Sequence, residues 1–113
     1  MISKALVAAS TKPLVLAILR NGENYGYQII QSVRRLSAGR LEWSEPMLYP
    51  LLKRMERDGL IKSEWKLTES QRFRRYFRLT EKGLKEQEQE TADWSLINNV
   101  FGKVLDPSPI PEG

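Results

Sequence analysis

Apolar residues in the first 43 positions predict two helices and a short strand. The stretch "LVLAILRNG" (14–22) has the unbroken apolar character of a buried helix. Asn21 and Gly22 end it, and Pro13 suits its first turn. In "NYGYQIIQSVRRLSAG" apolar side chains recur at helical spacing, which predicts a second helix. "LEW" (41–43) alternates and predicts a very short strand.

A third helix is predicted over "SEPMLYPLLKRMERDGLI". Ser44 is a natural N-cap, and a proline and an anion both fit the first turn after it. Asp58 and Gly59 end the helix. Pro50 removes one backbone hydrogen bond and is expected to bend it locally. The apolar stripe consists of Leu48, Leu51, Leu52 and Met55.

The next two segments, "LIKSEWKL" and "FRRYFRLT", alternate as strands and predict a hairpin. Its linker "TESQR" lacks the glycine of a two-residue turn, so a longer loop is expected. Thr80 caps a last helix, on which Trp94, Ile97, Phe101 and Val104 form a heptad-like seam. The order predicts a mainly α protein with a small β-hairpin, a winged helix-turn-helix. We expect a DNA-binding domain at 1–80, a C-terminal dimerisation helix at 81–105 and a disordered tail at 106–113.

Composition excludes several function classes. The 113 residues fit one domain, and they include no cysteine and no histidine. Thiolate metal sites and Ser-His or Cys-His hydrolases are therefore not expected, and the sequence predicts no enzyme, metal or cofactor. No apolar run approaches 18 residues, and the first ten residues are a poor secretory signal. A cytoplasmic protein without membrane spans is expected.

Charge is divided unevenly along the chain. Residues 1–85 carry 17 cations and 8 anions, whereas the last 28 residues carry 1 cation and 6 anions. This asymmetry favours an N-terminal part that binds a polyanion and a C-terminal part with a different role. A solubilising mixture of charges is the alternative.

Four segments resemble the PadR family of bacterial transcriptional regulators, in its order and spacing: "YGYQI" (25–29), "MLYPLLKRMERDGLI" (47–61), "SEW" (63–65) and "RRYFRLTEKG" (74–83). The resemblance implies a homodimeric repressor that binds double-stranded DNA at an inverted-repeat operator. It also implies release by a small aromatic compound. The chain resembles the short branch with one helix after the wing. It departs from the family at Met47, at Glu45-Pro46 and at the hairpin tip "ESQRF".

Helix-turn-helix geometry gives candidate DNA contacts. Residues at the start of the third helix, Ser44 and Met47, are candidates for base contacts, and Met47 would meet a thymine methyl group. Other candidates would meet phosphates, namely Tyr27, Tyr49, Lys53, Arg54, Arg72, Arg74 and Arg75. The alternatives are core or turn packing for the tyrosines and a solvated helix face for Lys53 and Arg54. For the wing arginines they are strand-surface packing and ion pairs with Glu64 or Glu69.

The acidic last helix fits DNA poorly, and its apolar seam predicts a dimer arm. The expected interface combines the seam with the first helix: Leu6, Val7, Leu14, Trp94, Ile97, Phe101 and Val104. Packing on its own domain is the alternative. In the drug-responsive branch that the chain resembles, a tryptophan at the position of Trp94 stacks on flat aromatic ligands. The resemblance thus implies a ligand site at Trp94. By their positions, Asn98 and Phe101 would line the same space one and two turns further on, with Ala17 facing it from the first helix. The alternative is that Trp94 only anchors the seam. A winged-helix protein-interaction adaptor without specific DNA binding is the alternative function.

Overall fold

A computed structural model describes residues 1–106. The elements follow in the order α1 (Lys4–Arg20), β1 (Asn24–Tyr25), α2 (Gly26–Leu36), α3 (Glu45–Arg57), β2 (Ile61–Leu67), β3 (Phe73–Leu79) and α4 (Glu81–Leu105). The predicted tail at 106–113 lies, except for Asp106, outside the described residues.

The helix-turn-helix and the hairpin wing occur where the sequence predicted them. Helix α3 begins after Ser44 and ends before Gly59, whose φ of 78° is the left-handed conformation of a helix terminator. It continues through Pro50. Thr80 caps α4 as predicted, because its Oγ1 accepts a hydrogen bond from the Gly83 backbone N–H at 3.0 Å. The fold is therefore a mainly helical winged helix-turn-helix.

Two predictions in the first 43 residues are wrong. Helix α1 begins at Lys4, so Pro13 lies inside the helix and not in its first turn. Ser3 caps the true start, accepting from the Leu6 amide at 3.1 Å. No strand forms at 41–43, where the chain turns from α2 into α3.

The strand beside the hairpin comes from a different segment. β1 pairs antiparallel with β3, placing Tyr25 opposite Tyr76, and the sheet order is β1-β3-β2. β2 pairs antiparallel with β3, so that Ile61 lies opposite Leu79 at the base of the hairpin and Leu67 lies opposite Phe73 at its tip. The connecting loop has five residues, as expected, and the Thr68 amide donates to the Arg72 carbonyl at 2.7 Å.

The core lies between α1, α2, α3 and the base of the sheet. Its buried residues are Val15, Leu16, Leu19, Ile29, Ile30, Val33, Trp43, Leu48, Leu52, Met55, Leu60, Ile61 and Phe77. Burial of these side chains is the main stabilising contribution. Leu36, which shared their helical spacing in α2, is 76% exposed instead.

The first half of α4 packs on the domain, and the second half extends away from it. A Cβ at Gly83 would collide with the Leu60 carbonyl oxygen, so the helix start lies directly on the chain that enters β2. Lys12 on α1 pairs with Glu86 at 3.1 Å and with Glu90 at 3.5 Å. Beyond Asp93 every side chain of α4 is exposed, and the molecule is accordingly elongated, at 61 × 31 × 23 Å.

Candidate nucleic-acid interface

The start of α2 is held closely against α3. Gly26 is buried, and a Cβ at this position would lie 2.7 Å from the Tyr49 hydroxyl. The glycine therefore allows the tyrosine ring to sit on the first turn of α2, where backbone N–H groups lack helical partners. Tyr27 follows on the same turn and is 53% exposed. This end of the helix presents donors to an anion.

Tyr49 both packs and faces solvent. Its side chain keeps 41% exposure although it covers Gly26. Partial burial, followed by the nearby Glu45 carboxylate, raises the pKa of the phenol. The phenol hydroxyl can donate a hydrogen bond to a phosphate oxygen.

The outward face of α3 carries most of the other candidates. Ser44 is exposed, and its hydroxyl makes no capping hydrogen bond, so the predicted N-cap position is correct but the side chain remains available. Lys53 and Arg54 are exposed one turn or more beyond Tyr49. Neither has an ion-pair partner within the described residues. Two exposed cations without ion-pair partners on one helix suit phosphate contacts.

Met47 lies differently from the expectation for a base contact. It is half-buried and packs against the hydrophobic core. Only part of its side chain therefore faces outward, and the predicted contact with a thymine methyl remains a prediction.

The wing places its arginines on two faces and at its tip. Arg74 shares a face with Tyr76 and Arg78, as predicted, and its guanidinium lies 5.9 Å from the centre of the Tyr25 ring. Arg72 is exposed in the tip loop, with no ion pair among the described residues. Both can meet a DNA backbone beside α3.

Arg75 lies on the opposite face and has protein partners. Its Nη2 donates to Glu56 Oε1 at 2.7 Å, and its Nε donates to Ser63 Oγ at 2.8 Å. Ser63 in turn donates to Glu56 Oε2 at 2.7 Å. This three-residue network, which the sequence did not indicate, fastens both wing strands to the last turn of α3. A DNA contact by Arg75 stays a prediction.

Lys66 also forms ion pairs within the chain. It pairs with Glu23 at 2.7 Å and with Glu64 at 3.1 Å. The hydrogen bond to Glu23 comes first among the effects that raise the pKa of its ammonium. Two carboxylates neutralise this cation, so it is a poorer phosphate ligand than Arg72.

A cavity of about 450 Å³ separates α1 from α4 and contains three of the four predicted ligand residues. Trp94, Asn98 and Ala17 line it, whereas Phe101 does not. Leu14 and Ala17 also line a neighbouring cavity of about 310 Å³ that reaches α2 at Leu36. The walls of the larger cavity are mostly apolar, with Ser10, Thr91, Ser95 and Asn98 as polar members.

The predicted dimer seam is solvent-exposed in the single chain. Trp94 is 36% exposed, and the other seam residues are more so, at 52% for Ile97, 59% for Phe101 and 63% for Val104. On α1, Leu6 is exposed and Val7 and Leu14 are half-buried. Trp94 lies beside α1 of its own chain, whereas Ile97, Phe101 and Val104 are half or more exposed. The dimer interface stays a prediction.

Within residues 1–106, no group of acidic side chains is placed to hold a metal ion. Of the helices in this range, none combines the length and hydropathy of a membrane span.

Comparison with known proteins identifies the family. Residues 15–89 match the transcriptional regulator PadR-like family. A transcriptional regulator from Clostridium thermocellum is 29% identical, with a TM-score of 0.80, over 94% of this chain and 100% of that one. A PadR-like transcriptional regulator from Bacillus cereus is 25% identical, with a TM-score of 0.82, over 93% and 100%. A PadR family regulator from Eggerthella lenta is 33% identical, with a TM-score of 0.71, over 92% and 88%.

The family model spans well over half of the chain, and these structures align along nearly all of it. The match includes the helix-turn-helix, the wing and the first turns of α4. This protein is therefore a member of the PadR-like family of transcriptional regulators.

Proposed function

We propose that this regulator is a homodimeric repressor that binds an inverted-repeat operator in double-stranded DNA and responds to a small aromatic ligand. One observation carries the DNA part of the proposal. The start of α2, the outward face of α3 and the cationic wing lie next to one another, joined by the Tyr49–Gly26 contact and the Arg75–Glu56 ion pair. Together they present backbone donors and unpaired cations to one ligand.

In this arrangement α3 enters the major groove with Ser44 leading. Tyr49, Lys53 and Arg54 contact phosphates along the groove, and Tyr27 contacts one at the start of α2. Arg72 and Arg74 hold the backbone from the wing. For a dimer that neutralises about eight phosphates, a plot of the logarithm of the binding constant against the logarithm of the salt concentration has a slope of roughly −7.

The exposed seam of α4 supports the homodimer. Apolar side chains that are half or more exposed on a 25-residue helix are unfavourable in water, and a second copy of the same helix would cover them. Such a pair would set the two half-sites about one DNA turn apart, ~34 Å.

The cavity between α1 and α4 supports the ligand. Its volume suits a small organic molecule, and Trp94 supplies a flat, polarisable wall. Since this tryptophan also lies in the seam, a ligand stacked on it would alter the packing of the two copies. That change would move the two DNA-binding domains relative to each other.

The test is selection of bound sequences from a random DNA pool by the purified full-length chain, followed by anisotropy titration at two salt concentrations. A palindrome with one-turn spacing and steep salt dependence is expected. Weak binding without salt dependence would favour a protein-interaction adaptor and overturn the proposal.

A further inference from the structure

Three large apolar side chains are exposed at the tip of the wing. Trp65 is 67% exposed, Leu67 55% and Phe73 63%. Leu67 lies directly opposite Phe73 in the β2–β3 register, and Trp65 precedes Leu67 by two residues on the same face. These three residues, the wing-tip cluster, therefore form one continuous apolar surface.

The cluster extends the core face of the sheet into solvent. At the base of the hairpin this face carries Ile61 and Phe77, both buried. Arg75 marks the boundary, since it stands opposite Trp65 and binds Glu56 on α3. Beyond this point nothing among the described residues covers the face. A grouped exposure of this kind on a small domain indicates a binding surface.

Charge indicates which partner covers it. Between residues 61 and 79 the hairpin carries six cations and two anions. Two such tips repel each other, which disfavours a second wing as the partner. The acidic turns of α4 are also poor partners, because Glu86, Glu88 and Glu90 are already paired with Lys12 or Arg20. A polyanion with apolar surface between its charges fits best.

The minor groove of duplex DNA has this character, with phosphates at its rims and sugars and base edges on its walls. Resting on the proposed function, which lays α3 in the major groove, we propose that the wing-tip cluster is an apolar wedge for the adjacent minor groove. Leu67 and Phe73 press against a base step and Trp65 supports them, while Arg72 in the tip loop holds the phosphate rim. Apolar wedges in minor grooves partly unstack a step and bend the duplex.

Because of the wedge, the affinity depends on the DNA base sequence under the wing even though no hydrogen bonds to bases are made there. Pyrimidine–purine steps such as TA unstack easily, whereas A-tracts are stiff. The regulator therefore prefers a TA step under each wing, by indirect readout. This differs from a wing that only carries charge, which would show no such preference.

The experiment uses the full-length protein and a 30-base-pair duplex recovered from a random pool, remade with either TA or AA steps in both flanks. A fluorescent donor and acceptor at the two ends report bending by energy transfer. Anisotropy reports affinity at several salt concentrations. The variant is Leu67→Ser with Phe73→Ser. The matched control, Leu67→Met with Phe73→Leu, keeps the apolar surface.

For the wild type we expect bending and preference for the TA duplex. The serine variant is expected to lose both, to bind about tenfold more weakly and to keep its salt slope, because no cation is removed. The Met/Leu control is expected to behave as wild type. Since all three side chains are exposed, thermal melting followed by circular dichroism should be unchanged.

Three outcomes would overturn the wedge. A serine variant that binds and bends DNA as the wild type does removes the cluster from the interface while leaving the proposed function intact. Assemblies larger than a dimer in sedimentation, abolished by the serine changes, would assign the cluster to contacts between copies. A wild-type protein that binds no duplex in a salt-dependent way would overturn both the wedge and the proposed function.

Discussion

Arg75 and Glu56 form an ion pair, 2.7 Å from Nη2 to Oε1, that joins the middle of the wing to the last turn of the helix before it. Ser63 bridges the same two residues from the other strand. Because the carboxylate lies on α3 and the guanidinium on β3, the pair sets how the wing stands relative to the proposed recognition helix.

The first prediction concerns this pair. Both side chains are partly exposed, so a double-mutant cycle of Arg75→Gln and Glu56→Gln should give a coupling of only about 0.5–1 kcal/mol in urea unfolding. Glu56→Gln keeps the Arg75 charge but loosens the wing, so it should weaken DNA binding. If Arg75 were instead a phosphate contact held back by Glu56, the same change would tighten DNA binding.

The second prediction compares two glycines of α4. Gly83→Ala forces a Cβ onto the Leu60 carbonyl oxygen, which is backbone and cannot rotate away. We expect a loss of about 3 kcal/mol or more in the free energy of unfolding. Gly102→Ala is the control, since a Cβ there has open space and alanine favours the helix by roughly 0.5–1 kcal/mol. Equal effects of the two changes in urea unfolding would contradict the close approach at Gly83.

The third prediction separates a free lysine from a neutralised one. Lys53→Gln should weaken binding to all duplexes alike and lower the salt slope of a dimer by about 1.8, one phosphate per copy. Lys66→Gln should have a smaller effect, because Glu23 and Glu64 already occupy that ammonium. Anisotropy over a series of salt concentrations measures both slopes. A larger change for Lys66 would show that its carboxylate partners release it on DNA.

The fourth prediction tests the cavity between α1 and α4. Trp94→Ala should abolish binding of a planar cationic dye, measured by the dye's own fluorescence, while sedimentation still shows a dimer. Ala17→Leu fills the same cavity from α1 and should also block the dye, without removing the tryptophan. Unchanged dye affinity in both variants would remove this cavity from the ligand site.

The fifth prediction concerns the attachment of α4 to α1. Burial lowers the pKa of Lys12, but its hydrogen bond to Glu86 and the charges of Glu86 and Glu90 outweigh this, so the pKa is raised above 10.5. The stabilising contribution is therefore fully present below pH 10.5 and is lost as the pH rises through the raised value. Lys12→Met should melt at a lower temperature than wild type at pH 8, and the gap should narrow above pH 10.5. A gap that persists unchanged there would exclude the charge as its cause.

Local signals in the sequence were enough for much of this fold. Ser44 and Gly59 mark helix ends through their own backbone preferences, and Thr80 does so through its short-range hydrogen bond to Gly83, so these boundaries were predicted correctly. The alternation of apolar and polar residues in β2 and β3 likewise predicted which side chains share each face of the hairpin. For the candidate site, the sequence indicated exposed cations on α3 and at the wing tip, since charge and helical spacing are properties of neighbouring residues.

Tertiary structure decided the rest, because it depends on which distant residues meet. Asn24 and Tyr25 become a strand only by pairing with Phe77 and Tyr76, and no pattern in two residues predicts that. Pro13 lies within α1 because the helix already begins at the Ser3 cap, and this preceding segment is tied to α4 through Lys12 and Glu86. The sequence does not show which carboxylates of other elements meet Arg75 and Lys66, and only the fold brings Glu56 and Glu23 to them. A cation's availability for DNA is set by the carboxylates around it, and those come from other elements of the chain.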